Sequence, residues 1–253
     1  MIRLGKDLIR STLRRLGRHI VYVPLDETTG LDLELDLPRF VSRHEAVLFD
    51  IGANVGQSIK VFRKLFPDAW IFAFEPSAGC FETLQKRFHD ARLTLFHTAL
   101  GSEEGELALR EYEMSVLNSV LPLDPTKDNR FRDVQRVREE RVAVRTVDAV
   151  REEMGHSHID LLKIDTQGFD LDVLRGAERT LAAGAVSAVM VELNFFPMYV
   201  GQARAEQVME FLTDRGFVLV DLYEKFRQDH CLAWCTALFA RHTWGKNGEA
   251  SGS

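Results

Sequence analysis

Cysteine is scarce in this chain. Cys80, Cys231 and Cys235 make an odd count of three in 253 residues. That excludes the disulfide framework of small secreted domains and favours a reducing compartment, the cytoplasm by default. His230 precedes Cys231, but no Cys-x-x-Cys pair is present, so ordinary packing rather than a zinc site is expected of these thiols. Proline is sparse as well, 7 against 17 glycines. No repeat or low-complexity tract breaks the chain, and only the tail from 243 to 253, ending "GKNGEASGS", reads as disordered. No apolar run approaches the ~20 residues that span a bilayer. The N-terminal segment also lacks the unbroken apolar stretch of a secretory signal, so a soluble chain is expected.

Positive charge is missing from most of the sequence. The formal net charge is −6, yet the first 18 residues hold Arg3, Lys6, Arg10, Arg14, Arg15 and Arg18 against Asp7 alone, +5 in all, which leaves −11 for the remainder. An acidic body offers no basic face for phosphates, so nucleic acid is not an expected partner. In the basic segment Leu4, Leu8, Leu13, Leu16 and Ile20 recur at helical spacing. Residues 1–20 are therefore expected to form a basic amphipathic helix. It has two readings: peripheral contact with an anionic membrane or a partner, or packing of its stripe on its own domain.

What is present is a βαβ rhythm. "VLFDIG" precedes a helical "QSIKVFRKLF", "WIFAFEP" precedes "GCFETLQKRFHD", and "LTLFHTAL" ends at a turn. Later "IDLLKID" leads into "LDVLRGAERTLAAG", and "AVSAVMVEL" leads through "NFFPMYVG" into "ARAEQVMEFLTDRG". The closing strand runs "GFVLVDLY" and "CTALFAR" have no helix-length segment between them, so the last strand must run antiparallel to its predecessor. The expected fold is α/β, a mostly parallel sheet with an antiparallel C-terminal hairpin. Residues 1–46 form the helix and lead-in and 47–242 the domain; 101–157 lacks a long helix and reads as an insertion over the sheet.

In such sheets the first strand-turn-helix is the usual cofactor seat. Here the turn "DIGANVG" has Gly52 and Gly56 separated by three residues. That is neither the G-x-G-x-x-G of dinucleotide sites nor a phosphate loop with G-K-[ST]. Asp50 at the strand tip would repel a diphosphate but suits a cationic cofactor without phosphate, such as S-adenosylmethionine. Glu75 ends the second strand, 25 residues after Asp50, where a carboxylate accepts from both ribose hydroxyls.

The segments "FDIGANVGQS", "FAFEPS", "TALGSEEGEL", "VRTVDAV", "IDLLKIDTQGFDLDVLRGAERTL" and "VMVELN" together resemble the successive motifs of the FkbM family of S-adenosylmethionine-dependent methyltransferases, from about Val47 to Arg241. The resemblance implies a Rossmann-like class I methyltransferase fold with a seven-stranded sheet. It also implies O-methylation of a sugar, glycan or glycosylated natural product. A cofactor-binding module without catalysis, docked through its N-terminal helix, is the alternative. On the matched motifs the cofactor contacts are Asp50, Gly52, Asn54, Gly56, Glu75, Ala99 and Gln167. The family pattern carries glutamate where this chain has the shorter Asp170.

Methyl transfer from a sulfonium requires in-line alignment and activation of a poor nucleophile. The catalytic candidates are therefore acids at strand tips: Asp165 after the fourth strand and Glu192 at the end of the fifth. Lys163, two residues before Asp165, is expected either to pair with Asp165 or Glu192 or to hold the acid charged. Asp165, Glu192 and Asn194 offer three oxygen ligands for Mg²⁺, which would activate the acceptor hydroxyl. The other reading makes Asp165 a metal-free base oriented by Glu192. His97 is expected as a satisfied core residue, the alternative being a base near the adenine side, with His156 and His158 away from the site. Asn118 and Ser119 are expected to face cofactor or acceptor or to form a plain turn; Phe195, Phe196 and Tyr199 are expected as an apolar wall, a sugar-stacking face or core.

Overall fold

The computed structural model describes residues 29–241 except 42, 127–130 and 132. The basic segment of residues 1–20 and the tail from 243 lie outside the described residues, and with them both readings of the N-terminal helix. No helix among the described residues is long and apolar enough to cross a membrane.

Seven strands form the main sheet: β1 (Val47–Ile51), β2 (Trp70–Phe74), β3 (Leu93–Phe96), β7 (Ile159–Ile164), β8 (Val186–Asn194), β9 (Phe217–Gln228) and β10 (Cys231–Arg241). Their order is β3-β2-β1-β7-β8-β10-β9. The pairs among β1, β2, β3, β7 and β8 are parallel, whereas β10 runs antiparallel to both β8 and β9. The expected mostly parallel sheet with antiparallel terminal strands is therefore present. The hairpin turns at Asp229 and His230, with φ of 48° and 66°. Two successive left-handed residues match the twist of the flanking strands. The sequence pattern did not reveal that the last strand inserts between β8 and β9.

Side-chain alternation sorts the core into two faces. Phe49, Ile51, Leu162, Val189 and Val191 point to one face. There they pack on α4 (Val147–Glu153), α5 (Asp170–Arg175), α6 (Glu178–Ala182) and α7 (Ala205–Thr213). Leu48, Leu161, Ala188 and Leu238 point to the other face, against α1 (Leu33–Phe40) and α2 (Gln57–Leu65). On that side α3 (Ala78–Arg87) contributes Leu84 to a cluster with Ala53, Ile59 and Ala73. Burying a side chain of this size contributes roughly 1.5–3 kcal/mol, and the two layers fix the strand tips that carry polar groups.

The expected single helix "LDVLRGAERTLAAG" is two. Gly176 breaks it, because a Cβ there would lie 1.9 Å from the Gly101 carbonyl oxygen and the Gly176 carbonyl accepts from Asp148 N. "LTLFHTAL" is divided as well. Leu93–Phe96 belongs to the main sheet, while β4 (Ala99–Leu100) joins β5 (Gly105–Tyr112) and β6 (Arg136–Arg145) in a three-stranded sheet ordered β4-β6-β5. His97, between the two parts, is exposed, with Nε2 3.0 Å from the Pro76 carbonyl. It is hydrogen-bonded, but it is not the core residue expected. Cys80 and Cys235 are buried, whereas Cys231 is exposed at the start of β10.

Candidate functional site

The turn after β1 is built on left-handed residues. Gly52, Asn54 and Gly56 have φ of 76°, 48° and 86°. Gly52 N and Ala53 N both reach the Phe74 carbonyl at 3.0 Å. A Cβ on Gly52 would lie 1.9 Å from the Asp165 carbonyl oxygen, so the tips of β1 and β7 meet more closely than any side chain permits. Gly56 caps α2, and a Cβ there would strike Phe88. It serves packing rather than the cavity wall.

Glu75, at the end of β2, holds two loops together. Its Oε2 accepts from Asn54 N at 2.7 Å and its Oε1 from Ser77 N at 2.8 Å. Burial pushes its carboxyl up to about 7, although those two backbone donors and Lys163 pull it down. The small sheet braces this loop: Glu111 accepts from Ser77 Oγ, Glu140 accepts from Ala78 N at 3.3 Å, and Arg138 joins the two acids at 2.8 Å each.

Two expectations are corrected beneath the turn. Asp50 is fully buried and lies below the cavity rather than on its wall. It is engaged by Lys163 Nζ at 3.0 Å and by a short bond from Ser58 Oγ. Lys163 therefore pairs first with Asp50 and second with the expected Asp165, not with Glu192. Its ammonium also donates to the Gly52 carbonyl at 2.8 Å and stands 3.9 Å from Asp165. Burial opposes the Lys163 charge, but Asp50, then Asp165 and Glu75, outweigh it and hold the pKa above its ordinary value.

At the tips of β7 and β8 one amide network organises the acids. Gln167, itself left-handed at φ 54°, donates through Nε2 to Asp165 Oδ1 at 2.8 Å and to Glu192 Oε1 at 3.4 Å. Asn194 Nδ2 donates to the same Glu192 oxygen at 3.0 Å. The Tyr199 hydroxyl lies 3.1 Å from both Gln167 Oε1 and the Leu117 carbonyl, and donates to one at a time. Ser119 Oγ donates to the Gln167 carbonyl at 2.8 Å. Asp170 accepts from Thr166 N and Gly168 N at 2.9 and 3.0 Å, so the shorter acid still pins this loop; burial raises its pKa to about 6. Burial, then the charges of Asp165 and Asp170, push Glu192 well above the usual carboxylate range.

This donor set does not fit the expected Mg²⁺ seat. Amide N–H groups of Gln167 and Asn194 point at the acid oxygens that a cation would need, and Asn194 does not line the cavity. Among the described residues no group of three or more His, Cys, Asp or Glu is arranged to hold a metal. Tyr199 is buried in this amide network rather than forming a wall for a sugar, and neither Phe195 nor Phe196 lines the cavity. Asn118 does line it, but its Oδ1 accepts from Tyr112 N at 2.9 Å.

One cavity of about 670 Å³ joins these elements, a volume in the range of small-molecule sites, roughly 300–1,000 Å³. Of the expected residues, Gly52, Asn54, Glu75, Ala99, Lys163, Asp165, Gln167 and Glu192 line it. The sequence reading did not identify Ser58, or the wall formed by α1 with β9 and β10. Asp32, which accepts from Glu34 N at 2.9 Å as the N-cap of α1, was the available signal for that helix.

The fit to a phosphate-free nucleoside cofactor rests on this donor set. Glu75 faces the cavity between two backbone donors and retains acceptor capacity for a diol. Lys163, beneath the strand tips, is engaged by Asp50.

Comparison with known proteins finds methyltransferases. A relative from Beauveria bassiana, "Methyltransferase 1", is 30% identical over 148 residues, covering 53% of this chain and 59% of that protein. The chain thus spans little more than half the length of that relative. The 2-O-methyltransferase NoeI of Sinorhizobium fredii is 26% identical over 201 residues, covering 73% of this chain and 78% of NoeI. The crystal structure of the methyltransferase FkbM from Methylobacillus flagellatus aligns with a TM-score of 0.49 at 15% identity, over 78% of this chain and 44% of that one. The model of the methyltransferase FkbM domain matches residues 50–219, and the chain belongs to that family.

Proposed function

We propose that the protein transfers a methyl group from S-adenosylmethionine to a hydroxyl oxygen of a sugar or a similarly hydroxylated acceptor. The observation that carries this reading is a single cavity lined both by Glu75 and by the Asp165–Gln167–Glu192 network. When bound, the cofactor supplies an electrophilic methyl on a sulfonium. Glu75 accepts from the ribose hydroxyls, and the turn from Gly52 to Asn54 brings backbone close to the cofactor. Asp165, with 41% of its side chain exposed, would accept the acceptor's proton as the methyl carbon passes from sulfur to oxygen and S-adenosylhomocysteine leaves. Gln167 fixes its orientation, and Lys163 favours its charged form. The relative NoeI, a 2-O-methyltransferase, supports oxygen as the receiving atom.

The test is Asp165→Asn, assayed by transfer of labelled methyl and by calorimetry with S-adenosylhomocysteine. Turnover should fall by about 10² or more, the reach of a positioned base, with cofactor affinity little changed. A chelator should leave wild-type turnover unaltered. Near-normal turnover in Asp165→Asn, or loss with EDTA that Mg²⁺ restores, would contradict the scheme.

A further inference from the structure

The cavity does not end at the cofactor motifs. Past Lys163 and Asp165 it continues across the sheet into a second lobe walled by Leu33, Val61, Met190, Tyr223, Glu224 and Thr236. Strand register explains the arrangement. Glu192 of β8 lies opposite Thr236 of β10, and Thr236 lies opposite Tyr223 of β9, so the three share one face at neighbouring heights. An extra residue in β9 between Tyr223 and Phe226, with Glu224 at φ 47°, forms a bulge. Bulges re-aim side chains, and here Glu224 reaches the cavity wall, where it accepts from Thr236 Oγ1 at 2.8 Å.

The charges around this lobe are unevenly compensated. Lys163 is engaged by Asp50 and the Gly52 carbonyl, and Lys225 stands 3.9 Å from Asp221. Glu34, on the outer wall, pairs with Lys64 at 2.7 Å. Glu224, by contrast, meets a hydroxyl, Glu192 meets two amides, and Asp165 meets an amide with Lys163 3.9 Å away. The wall therefore presents the carboxylates of Glu224 and Asp165 balanced mainly by neutral donors, beside the apolar surfaces of Leu33, Val61 and Met190.

Resting on the methyl-transfer reading, we infer that this second lobe seats the methyl acceptor and selects it by charge: it takes a hydroxylated group that is neutral or cationic and refuses one bearing a phosphate or carboxylate near the reacting hydroxyl. Hydroxyl and ammonium groups donate to Glu224 and Asp165, and Glu192, whose charge burial disfavours, adds a neutral polar contact, whereas an anion meets the charges of Glu224 and Asp165 while the neighbouring lysines are already paired.

The experiment reads the lobe's potential directly. In a Cys231→Ser background, Thr236→Cys and, separately, Val61→Cys are loaded with S-adenosylhomocysteine and modified by two methanethiosulfonates of similar size, one carrying trimethylammonium and one carrying sulfonate. The cationic reagent should react faster by about tenfold or more, relative to the ratio at exposed Cys231 in the wild type. Adding Glu224→Gln to Val61→Cys should reduce that preference. A ratio at both positions no greater than that of Cys231 overturns the inference, as does faster methylation of a sugar phosphate or uronate than of its neutral parent. Calorimetry with S-adenosylhomocysteine on the unmutated protein tests the methyl-transfer reading separately. Absence of binding there overturns that reading, and with it the assignment of an acceptor, whatever the reagent ratio.

Discussion

On the proposed reading, Glu75 should give cofactor affinity a pH dependence that one substitution removes. Its carboxyl is raised from 4.5 to about 7, chiefly by burial. Ribose hydroxyls donate to the ionised form, so binding selects that form. For a group with pKa near 7, the ionised fraction falls from about nine-tenths at pH 8 to about one-tenth at pH 6. Affinity for S-adenosylhomocysteine should therefore fall roughly tenfold across that interval. Stability of the unliganded protein has the opposite sign. A carboxyl raised in the folded state leaves stability intact below the unfolded pKa and lowers it as pH rises from 4.5 towards 7, by about 3 kcal/mol at most.

Glu75→Gln keeps the shape but removes the charge, and turns an NH₂ towards one of two backbone N–H groups that the acid now accepts at 2.7 and 2.8 Å. Affinity should drop by about 2–4 kcal/mol, roughly 30- to 700-fold, and its dependence on pH should vanish. Calorimetry at pH 6, 7 and 8, in buffers of different ionisation heat, measures both affinity and the roughly half proton released at pH 7. A wild-type affinity that is flat between pH 6 and 8, with no proton release, would refute the reasoning.

Two further substitutions probe the strand tips. Gly52→Ala combines a left-handed φ with a Cβ 1.9 Å from the Asp165 carbonyl oxygen. It should cost on the order of 3 kcal/mol and lower the melting temperature by about 6–12 °C; an unchanged melting curve would contradict the close approach of β1 and β7. Tyr199→Phe removes the hydroxyl shared by Gln167 and Leu117. It should cost about 1–2 kcal/mol of stability and lower kcat with little change in S-adenosylhomocysteine affinity, whereas destabilisation with an intact kcat would confine Tyr199 to packing.

The Glu75 end of the cavity was legible because it is local. Gly52, Asn54 and Glu75 lie on two adjacent strand-turn units, and the acid after β2 follows from strand spacing alone. Asp50 was read at the right strand end but with the wrong neighbour. Alternation says that Asp50 and Lys163 share a face, and the register Asp50↔Lys163 places them side by side, but a one-dimensional pattern does not contain that register. The lobe near Glu224 was hidden for the same reason. It depends on β10 entering between β8 and β9 and on a bulge, neither of which leaves a periodic trace. Asn194 shows the limit of composition as a guide to metals: an amide counts as an oxygen ligand in sequence, yet here its nitrogen faces the acid.

The position of β10 also orders the assembly of the molecule. Strands β1, β2 and β3 come early in the chain and pair with one another, so the half of the sheet that carries Glu75 closes through short connections. Strand β9 emerges before β10, but among the described residues its ladder partner is β10 alone. It has no place in the sheet until the last strand docks beside β8. During synthesis from the N-terminus, the wall that carries Glu224 and Thr236 is therefore completed last, and as one hairpin. A chain halted before Cys231 would hold the Gly52–Glu75 turn region with β9 unpaired, and would present the open edge of β8 as a template for another strand.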